Sequence, residues 1–278
     1  MCYKIIVDSS ANVQTMPGPA AFASVPLKII VGSQEFVDDK SLDIGQMVES
    51  LKAYKGKSST ACPGVADWLE AFGDAQGVLC ITITSNLSGS WNAARLAKED
   101  YESRYPDSKV FVIDTLSTGG EMQLLARKAQ ELLESGMEFG EACRQTEAYL
   151  QKTGLMFSLE SLRNLANNGR VSPVTAKLAG VLGIRVVGKA SSQGTLEPTD
   201  KCRGEKKALQ TLLSRMIEQG YRGGRMVIDH CMNETAATQL KDLVTNAYPG
   251  ADVAVGQTRG LCSFYAEQGG MIIGFEKE

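Results

Sequence analysis

The feature that most constrains the fold of this chain is a repeated order of short apolar run, polar turn and helix-like segment. Strand-like runs at residues 5–8, 78–83 and 110–113 end in polar turns at 8–10, 84–85 and 114–115. Continuous apolar strands that alternate with helices are typical of a parallel sheet covered on both faces. Ligands of such sheets bind beyond the carboxyl ends of the strands. We therefore expect the polar turns to border a ligand site.

The remainder of the first half continues this order. A further strand is predicted at 27–31, and helices are predicted from Asp43 and at 65–72, 91–101, 121–135 and 139–152. The apolar residues of these segments recur with helical spacing, as Leu124, Leu125 and Leu132 do. Residues 1–153 are therefore predicted to form an N-terminal α/β domain built on a parallel sheet.

The pattern changes after residue 153, where short strands are mixed with two long helices. The predicted strands lie at 155–157, 184–189, 195–198 and 226–229 and near Val253 and Ile272. The predicted helices lie at 162–166, 175–182, 206–219 and 234–246. This mixture is typical of the α+β class. Residues 154–278 are therefore predicted to form a C-terminal α+β domain.

Composition argues against several classes of function. The 278-residue chain has a net charge of −3, whereas a domain that binds nucleic acid is expected to be strongly basic. No apolar run approaches the roughly 18 residues of a membrane-spanning helix, and the N-terminal strand begins too early for a signal peptide. Seven scattered cysteines without a C-x-x-C pair argue against a disulfide framework and a zinc site. We expect a soluble, cytoplasmic protein without a metal.

Two hydroxyl-rich loops are the strongest candidates for a binding site. The second of them stands between a predicted strand and a predicted helix, where unpaired backbone N–H groups and hydroxyls favour an anion. Serine and threonine are also ordinary helix N-caps, so each loop has a purely structural interpretation as well. The loops span residues 59–63, which carry the hydroxyls of Ser59 and Thr60, and residues 84–90, which carry those of Thr84, Ser85, Ser88 and Ser90.

Few residues outside these loops suggest a catalytic or ligand-binding role. Arg170 follows a glycine at a predicted helix end, where it either offsets the helix dipole or is a cation brought to the domain cleft for a carboxylate or phosphate. The one histidine, His230, follows Asp229 on a predicted strand, and neighbouring strand residues point to opposite faces. The chain contains no Walker A or G-x-G-x-x-G motif. We therefore predict no catalytic residues and no nucleotide cofactor.

Several short motifs, taken in order and at their separations, are similar to those of one family. They are T-A-C-P at 60–63, where the family usually has T-S-Q-P, and S-N-L-S-G-S at 85–90, where it has S-S-x-L-S-G-T. The Asp8–Ser9 turn, D-T at 114–115, L-E-S-L at 159–162 and G-R-V-S at 169–172 also match. Over essentially its whole length, the chain resembles the DegV family of bacterial fatty-acid-binding proteins.

This resemblance implies a two-domain α/β protein that holds one long-chain fatty acid at the domain interface. By motif match, the carboxylate would lie against Thr60, Ser88 and the Gly89 amide, with the tail in an apolar tunnel. Family members of this kind present the acid to a separate ATP-dependent fatty acid kinase, which makes the acyl phosphate for phospholipid synthesis. The resemblance implies that Arg170 acts when the fatty acid is presented to the kinase, and that Tyr265 stands where the family commonly has a histidine. Transient membrane contact is compatible with such a carrier.

Two other classes of function stay open. A serine-based acyl hydrolase, or a phosphotransferase acting on a small hydroxy compound, would make the protein an enzyme, and the single histidine argues against both. A module that binds a small polar anion would act as a sensor or regulator. The leading prediction is a lipid carrier that is not itself an enzyme, with a bound fatty acid as ligand and no cofactor.

Overall fold

The computed structural model describes residues 3–18, 20–176 and 183–278, in which the chain forms three β-sheets surrounded by helices. The strands are β1 Tyr3–Asp8, β2 Ala21–Val25, β3 Lys28–Val31, β4 Gln34–Val37, β5 Ser59–Ala61, β6 Gly77–Thr82, β7 Lys109–Asp114, β8 Thr153–Leu159, β9 Ile184–Ala190, β10 Leu196–Arg203, β11 Met226–His230, β12 Val253–Gln257 and β13 Met271–Glu276. The α-helices are α1 Ile44–Ala53, α2 Val65–Phe72, α3 Ser90–Arg104, α4 Gly120–Glu134, α5 Phe139–Tyr149, α6 Arg163–Asn167, α7 Pro173–Ala176, α8 Glu205–Glu218, α9 Glu234–Ala247 and α10 Gly260–Ala266.

The first sheet is parallel, as the apolar runs predict. Its strand order is β2-β1-β6-β7, and every neighbouring pair is parallel. On one face, Ile6 and Cys80 pack against Trp68 of α2 and Ala94 of α3. On the other face, residues such as Ile5 and Leu79 pack against α4. The sheet is therefore covered on both faces. The segment after β6 contacts the second half of the chain, where the Asn86 Nδ2 donates to the Gln193 carbonyl oxygen at 2.7 Å.

The second large sheet is mixed, with the order β10-β9-β8-β13-β11-β12. Only β11 and β12 are parallel neighbours; the remaining pairs are antiparallel. Helices α8 and α9 cover its outer face, where Leu212 and Leu240 are buried against Met156, Ile228 and Ile273. The α+β character predicted for this part of the chain is confirmed.

Helix α4 lies between the two large sheets and joins their cores. Met122 and Leu125 pack against the parallel sheet, and the first turn lies directly on the mixed sheet. A Cβ at Gly274 of β13 would collide with the Glu121 backbone nitrogen, and one at Gly120 would come within 2.8 Å of the Val227 carbonyl oxygen. Glycine is required where these backbones meet, because any side chain would push the helix away from the strands.

A small antiparallel sheet, β4-β3-β5, covers another part of the mixed sheet together with α1 and α10. The sequence predicted strand 27–31 but not its partners, and the hydroxyl-rich segment 59–63 was expected to be a loop. The structure corrects this expectation, since Ser59–Ala61 is strand β5, paired with β3. Strand β2 and helix α10 were also not predicted, and most of the helix predicted at 175–182 lies outside the described residues.

The chain has the α/β architecture predicted for it, with a parallel sheet in its first half and a mixed sheet in its second. Strand β8 begins the mixed sheet at Thr153, so the predicted division between 153 and 154 falls at the start of that strand. The exact domain boundary stays a prediction. Among the described residues, no helix combines the length and apolar character needed to cross a membrane.

Candidate functional site

A cavity of about 340 Å³ lies where the three sheets approach one another. This volume falls within the roughly 300–1,000 Å³ that is usual for pockets of small-molecule ligands. Its wall is mostly apolar, because β8, β10 and β13 and the ends of the parallel strands turn aliphatic and aromatic side chains toward it. Representative apolar lining residues are Leu27, Ile83, Leu155, Phe157, Leu196 and Ile272.

A hydrogen bond between Thr60 and Tyr265 joins the two halves of the chain at the cavity wall. The Thr60 Oγ1 and the Tyr265 hydroxyl lie 2.8 Å apart, and either atom can be the donor. Thr60 is on β5, while Tyr265 is on α10. The pKa of Tyr265 is raised above its ordinary value, mainly because the side chain is buried. The hydrogen bond to Thr60 and the positive charge of Arg170 lower the pKa, but by less than burial raises it. The phenol therefore stays protonated and keeps a donor.

Ser88 and Gly89 form the part of the wall that precedes α3. Gly89 is the N-cap of this 15-residue helix, and the first N–H groups of a helix have no partner within it. The Ser88 Oγ accepts a bond from the Ser90 N–H at 3.3 Å. A Cβ at Gly89 would lie 3.0 Å from the Cys62 sulfur, so the loop and the segment after β5 are in contact. Hydroxyl and amide donors of both loops are thus brought to one region of the wall.

Arg170 follows α6 and also lines the cavity. Its Nε donates to the Leu87 carbonyl oxygen at 3.1 Å, and its Nη1 donates to the Asn168 carbonyl oxygen at 2.6 Å. The guanidinium carbon lies 5.7 Å from the centre of the Tyr265 ring, within cation–π range. Within the part of the chain that the structure describes, Arg170 forms no ion pair, so its charge is not neutralised by a carboxylate.

Five of the six ligand-binding residues predicted from the sequence line this cavity, and Ser59 does not do so among the described residues. Successive side chains of a strand point to opposite faces, which separates Ser59 from Thr60 on β5. The register of β5 against β3, with Thr60 opposite Ile29, fixes which of the two hydroxyls faces the cavity. The five residues that do line it are Thr60, Ser88, Gly89, Arg170 and Tyr265.

Asp8 holds the loop between β6 and α3 in place through hydrogen bonds, a role that was not predicted from the sequence. It is fully buried at the end of β1 and accepts bonds from the Ile83 N–H at 2.9 Å and the Ser90 hydroxyl at 2.6 Å. These two donors stand on either side of the segment 84–89, so Asp8 holds both ends of the loop. Burial is the largest influence on Asp8 and raises its pKa, against hydrogen bonds that lower it. The sequence did contain a signal for this role, because Asp8 ends a predicted strand directly before two serines.

Among the described residues, neither His230 nor Asp229 lines the cavity. The His230 Nδ1 accepts the Asn233 N–H at 3.1 Å. Asp229 points away from it and accepts bonds from Asn12 and Gln123 instead. Opposite side-chain directions for Asp229 and His230 were predicted and are observed. Within the described part of the chain, no group of three or more acidic, histidine or cysteine side chains could hold a metal ion.

Comparison with known proteins places the whole chain in one family. A family model described as "uncharacterised protein, DegV family" matches residues 3–278. A DegV domain-containing protein of Streptococcus pneumoniae is 46% identical over 279 residues, covering 99% of either chain. A DegV domain-containing protein of Streptococcus pyogenes is 40% identical over 279 residues, covering 99% of this chain and all of the relative.

Two solved structures resemble this fold closely. The fatty acid kinase (Fak) B3 protein of Streptococcus pneumoniae, loaded with linoleic acid, has a TM-score of 0.98 and 45% identity, with full coverage of both chains. A DegV family protein of Eubacterium eligens, loaded with heptadecanoic acid, has a TM-score of 0.97 and 45% identity, covering 99% of this chain and all of the other. Together with the matches over the whole chain, these structures establish that the protein belongs to the DegV family.

Proposed function

We propose that this protein binds one long-chain fatty acid in the cavity between its sheets, with the carboxylate held by Thr60, Ser88, the Gly89 amide and Tyr265. The observation that carries the proposal is the composition of the cavity wall: an extended apolar surface with hydroxyl and amide donors gathered in one region. Both solved structures described above hold a fatty acid, and their folds nearly coincide with this one.

The apolar wall accounts for affinity and the polar region for orientation. Burying one methylene is worth about 0.8 kcal/mol, so a chain of a dozen or more dominates the binding free energy even after the cost of ordering the tail. Ser88 and Tyr265 are neutral donors, and Arg170 stands beside them. Neutral donors suit a carboxylate that must react later, because a full salt bridge would make its oxygen a poorer nucleophile.

The finer part of the proposal is that the protein presents its fatty acid to a separate ATP-dependent kinase, which forms the acyl phosphate. The S. pneumoniae protein with nearly the same fold is a fatty acid kinase (Fak) B3 protein, which supports this partner. The sequence itself has no Walker A or G-x-G-x-x-G motif. On this proposal the chain is a cytoplasmic carrier without catalytic residues or a cofactor of its own, and Arg170 acts at the transfer step.

Calorimetric titration of the delipidated protein tests this proposal. We expect oleate to bind with a stoichiometry of about one, methyl oleate to bind more weakly because it lacks the carboxylate, and butyrate not to bind because it lacks the tail. Butyrate binding as tightly as oleate would instead support a small-anion module. Release of free oleate from methyl oleate during the titration would support an acyl hydrolase.

A further inference from the structure

Asn12 lies where the two halves of the chain meet, and both ends of its side-chain amide are engaged. Its Nδ2 donates to the Asp229 Oδ2 on β11 at 2.8 Å. Its Oδ1 accepts the Arg259 N–H at 2.8 Å. The backbone of Asn12 is left-handed, with φ 59°, a conformation that asparagine tolerates better than most residues. Because the amide nitrogen donates to Asp229 and the amide oxygen accepts from Arg259, only one of the two flipped orientations of the Asn12 side chain makes both bonds.

The acceptor end of Asn12 holds the beginning of α10. Arg259 is the N-cap of this helix, and Asp38 accepts the next two N–H groups, from Gly260 at 2.7 Å and from Leu261 at 2.9 Å. The Cys262 thiol lies 3.3 Å from the Ser10 carbonyl oxygen. The first turn of α10 is therefore held by groups from residues 10–38 of the chain, and the Asn12 side chain also binds the mixed sheet through Asp229.

Helix α10 in turn carries part of the cavity wall. Leu261, Cys262, Tyr265 and Ala266 all line the cavity, and Tyr265 reaches Thr60 on β5. A small rotation of α10 would move the Tyr265 hydroxyl out of hydrogen-bond distance, because its bond to Thr60 is 2.8 Å long and the usual range of O–H···O bonds ends near about 3.0 Å. The orientation of this helix therefore matters for the polar region of the cavity.

We infer that Asn12 is a positioning residue for the carboxylate site: by linking Asp229 to the N-cap of α10, it sets where the Tyr265 hydroxyl is held. This inference rests on the proposed binding of a fatty acid. Gln123 of α4 donates to the same carboxylate, at 3.0 Å to Oδ2 and 3.2 Å to Oδ1, so Asp229 is fixed by α4 as well as by Asn12. The Asp229 carboxylate is thus a rigid reference point for α10.

Three variants test this role. Asn12→Gly removes the amide and keeps a left-handed backbone accessible. Asn12→Asp replaces the donor by a second carboxylate facing Asp229. The pair Asn12→Asp with Asp229→Asn exchanges donor and acceptor, so that the bond between positions 12 and 229 is restored and position 12 keeps an acceptor for the Arg259 N–H. Asn246→Asp, at an exposed position of α9, is the control for the added charge. Each variant is delipidated, checked for its melting temperature and titrated with oleate at pH 8.

We expect Asn12→Gly and Asn12→Asp to weaken oleate binding about tenfold, and the exchanged pair and Asn246→Asp to bind within about threefold of the unmodified protein. In a Tyr265→Phe background the effect of Asn12→Gly should largely disappear, because the group that Asn12 positions is already absent. Circular dichroism confirms that each variant is folded. If Asn12→Asp does not fold, Asn12→Gly and its combination with Tyr265→Phe still decide the matter.

Two results would overturn the inference alone: oleate binding by Asn12→Gly equal to that of the unmodified protein, or the same loss for Asn12→Gly with and without the Tyr265 hydroxyl. The latter would mean that Asn12 stabilises the fold without acting through Tyr265. If the unmodified protein itself does not bind oleate, the proposed function fails, and this inference fails with it. The two failures are therefore told apart by the unmodified protein.

Discussion

The Ser88→Ala substitution is expected to weaken fatty acid binding by about 10- to 150-fold while leaving the folded protein nearly as stable. A hydroxyl has one donor and two acceptor sites. The Ser88 Oγ uses an acceptor site for the Ser90 N–H, so its hydrogen remains for a carboxylate. A hydrogen bond to a charged group is worth about 1.5–3 kcal/mol, and about 1.4 kcal/mol corresponds to a factor of ten in affinity.

The effect on stability should be small because Gly89, not Ser88, is the N-cap of α3, and the bond from the Ser90 N–H to the Ser88 hydroxyl is long. Loss of a capping side chain costs about 0.5–2 kcal/mol, and the 3.3 Å distance here places Ser88 at the low end of that range. Calorimetric titration with oleate measures the affinity, and urea unfolding of the delipidated protein measures the free energy of unfolding. Ser135→Ala is the matched control, since Ser135 is an exposed helix-end serine that is not among the described residues lining the cavity.

One result would refute this reasoning: the Ser88→Ala variant binds oleate as tightly as the unmodified protein, but its free energy of unfolding is lower by about 1 kcal/mol or more. Ser88 would then be a helix cap only. Equal losses of affinity in Ser88→Ala and Ser135→Ala would refute it as well, because the second serine has no place in the cavity wall.

Three further predictions concern the partner step and the pH dependence of stability. Arg170→Ala should bind oleate within about threefold of the unmodified protein but lose most acyl-phosphate formation with a cognate kinase and ATP, because the guanidinium would offset charge that develops on the carboxylate; lost binding with normal turnover at saturating lipid would contradict this. Tyr265→Phe should lose less acyl-phosphate formation than Arg170→Ala, since the Tyr265 ring that the guanidinium contacts is kept; an equal or larger loss would show that the two residues are ranked wrongly. Burial raises the pKa of Asp229 to about 7, so the folded state holds a proton that the unfolded state releases from about pH 4 upward, and stability is lost as the pH rises through about 7. This pH-dependent contribution to the free energy of unfolding amounts to at most about 4 kcal/mol between pH 4 and 8, and Asp229→Asn should remove it. Urea unfolding over this pH range measures it, and a pH dependence of stability that Asp229→Asn leaves unchanged would contradict the assignment.

Much of the fold could be predicted from the sequence, because long segments carry their own periodicity. Helix α2 was predicted with its exact bounds, and α4 and β11 within one residue at each end. Strand β5 could not be predicted, because three residues with two hydroxyls show no alternation and pair only through a partner distant in the sequence. Helix α10 was missed for a related reason: its first turn is held by Asp38, more than two hundred residues earlier.

The candidate site was predicted in part. The hydroxyl loops identified Thr60 and Ser88, since hydroxyls at strand ends have a local signature. The bond between Thr60 and Tyr265 joins residues 205 positions apart, so no local pattern could have revealed it. The side of β5 that faces the cavity depends on its register with β3, which is why the composition of the loop did not distinguish Ser59 from Thr60. Tertiary pairing, rather than composition, decides these positions.

The central claim is that this protein carries a single long-chain fatty acid, and native mass spectrometry of the freshly purified protein tests it most directly. We predict a mass above that of the 278-residue chain by one fatty acid, with a stoichiometry of about one. Organic extraction of the same sample should then yield that acid. A protein with the mass of the bare chain, which after incubation with oleate or palmitate still shows no added mass, would contradict the account.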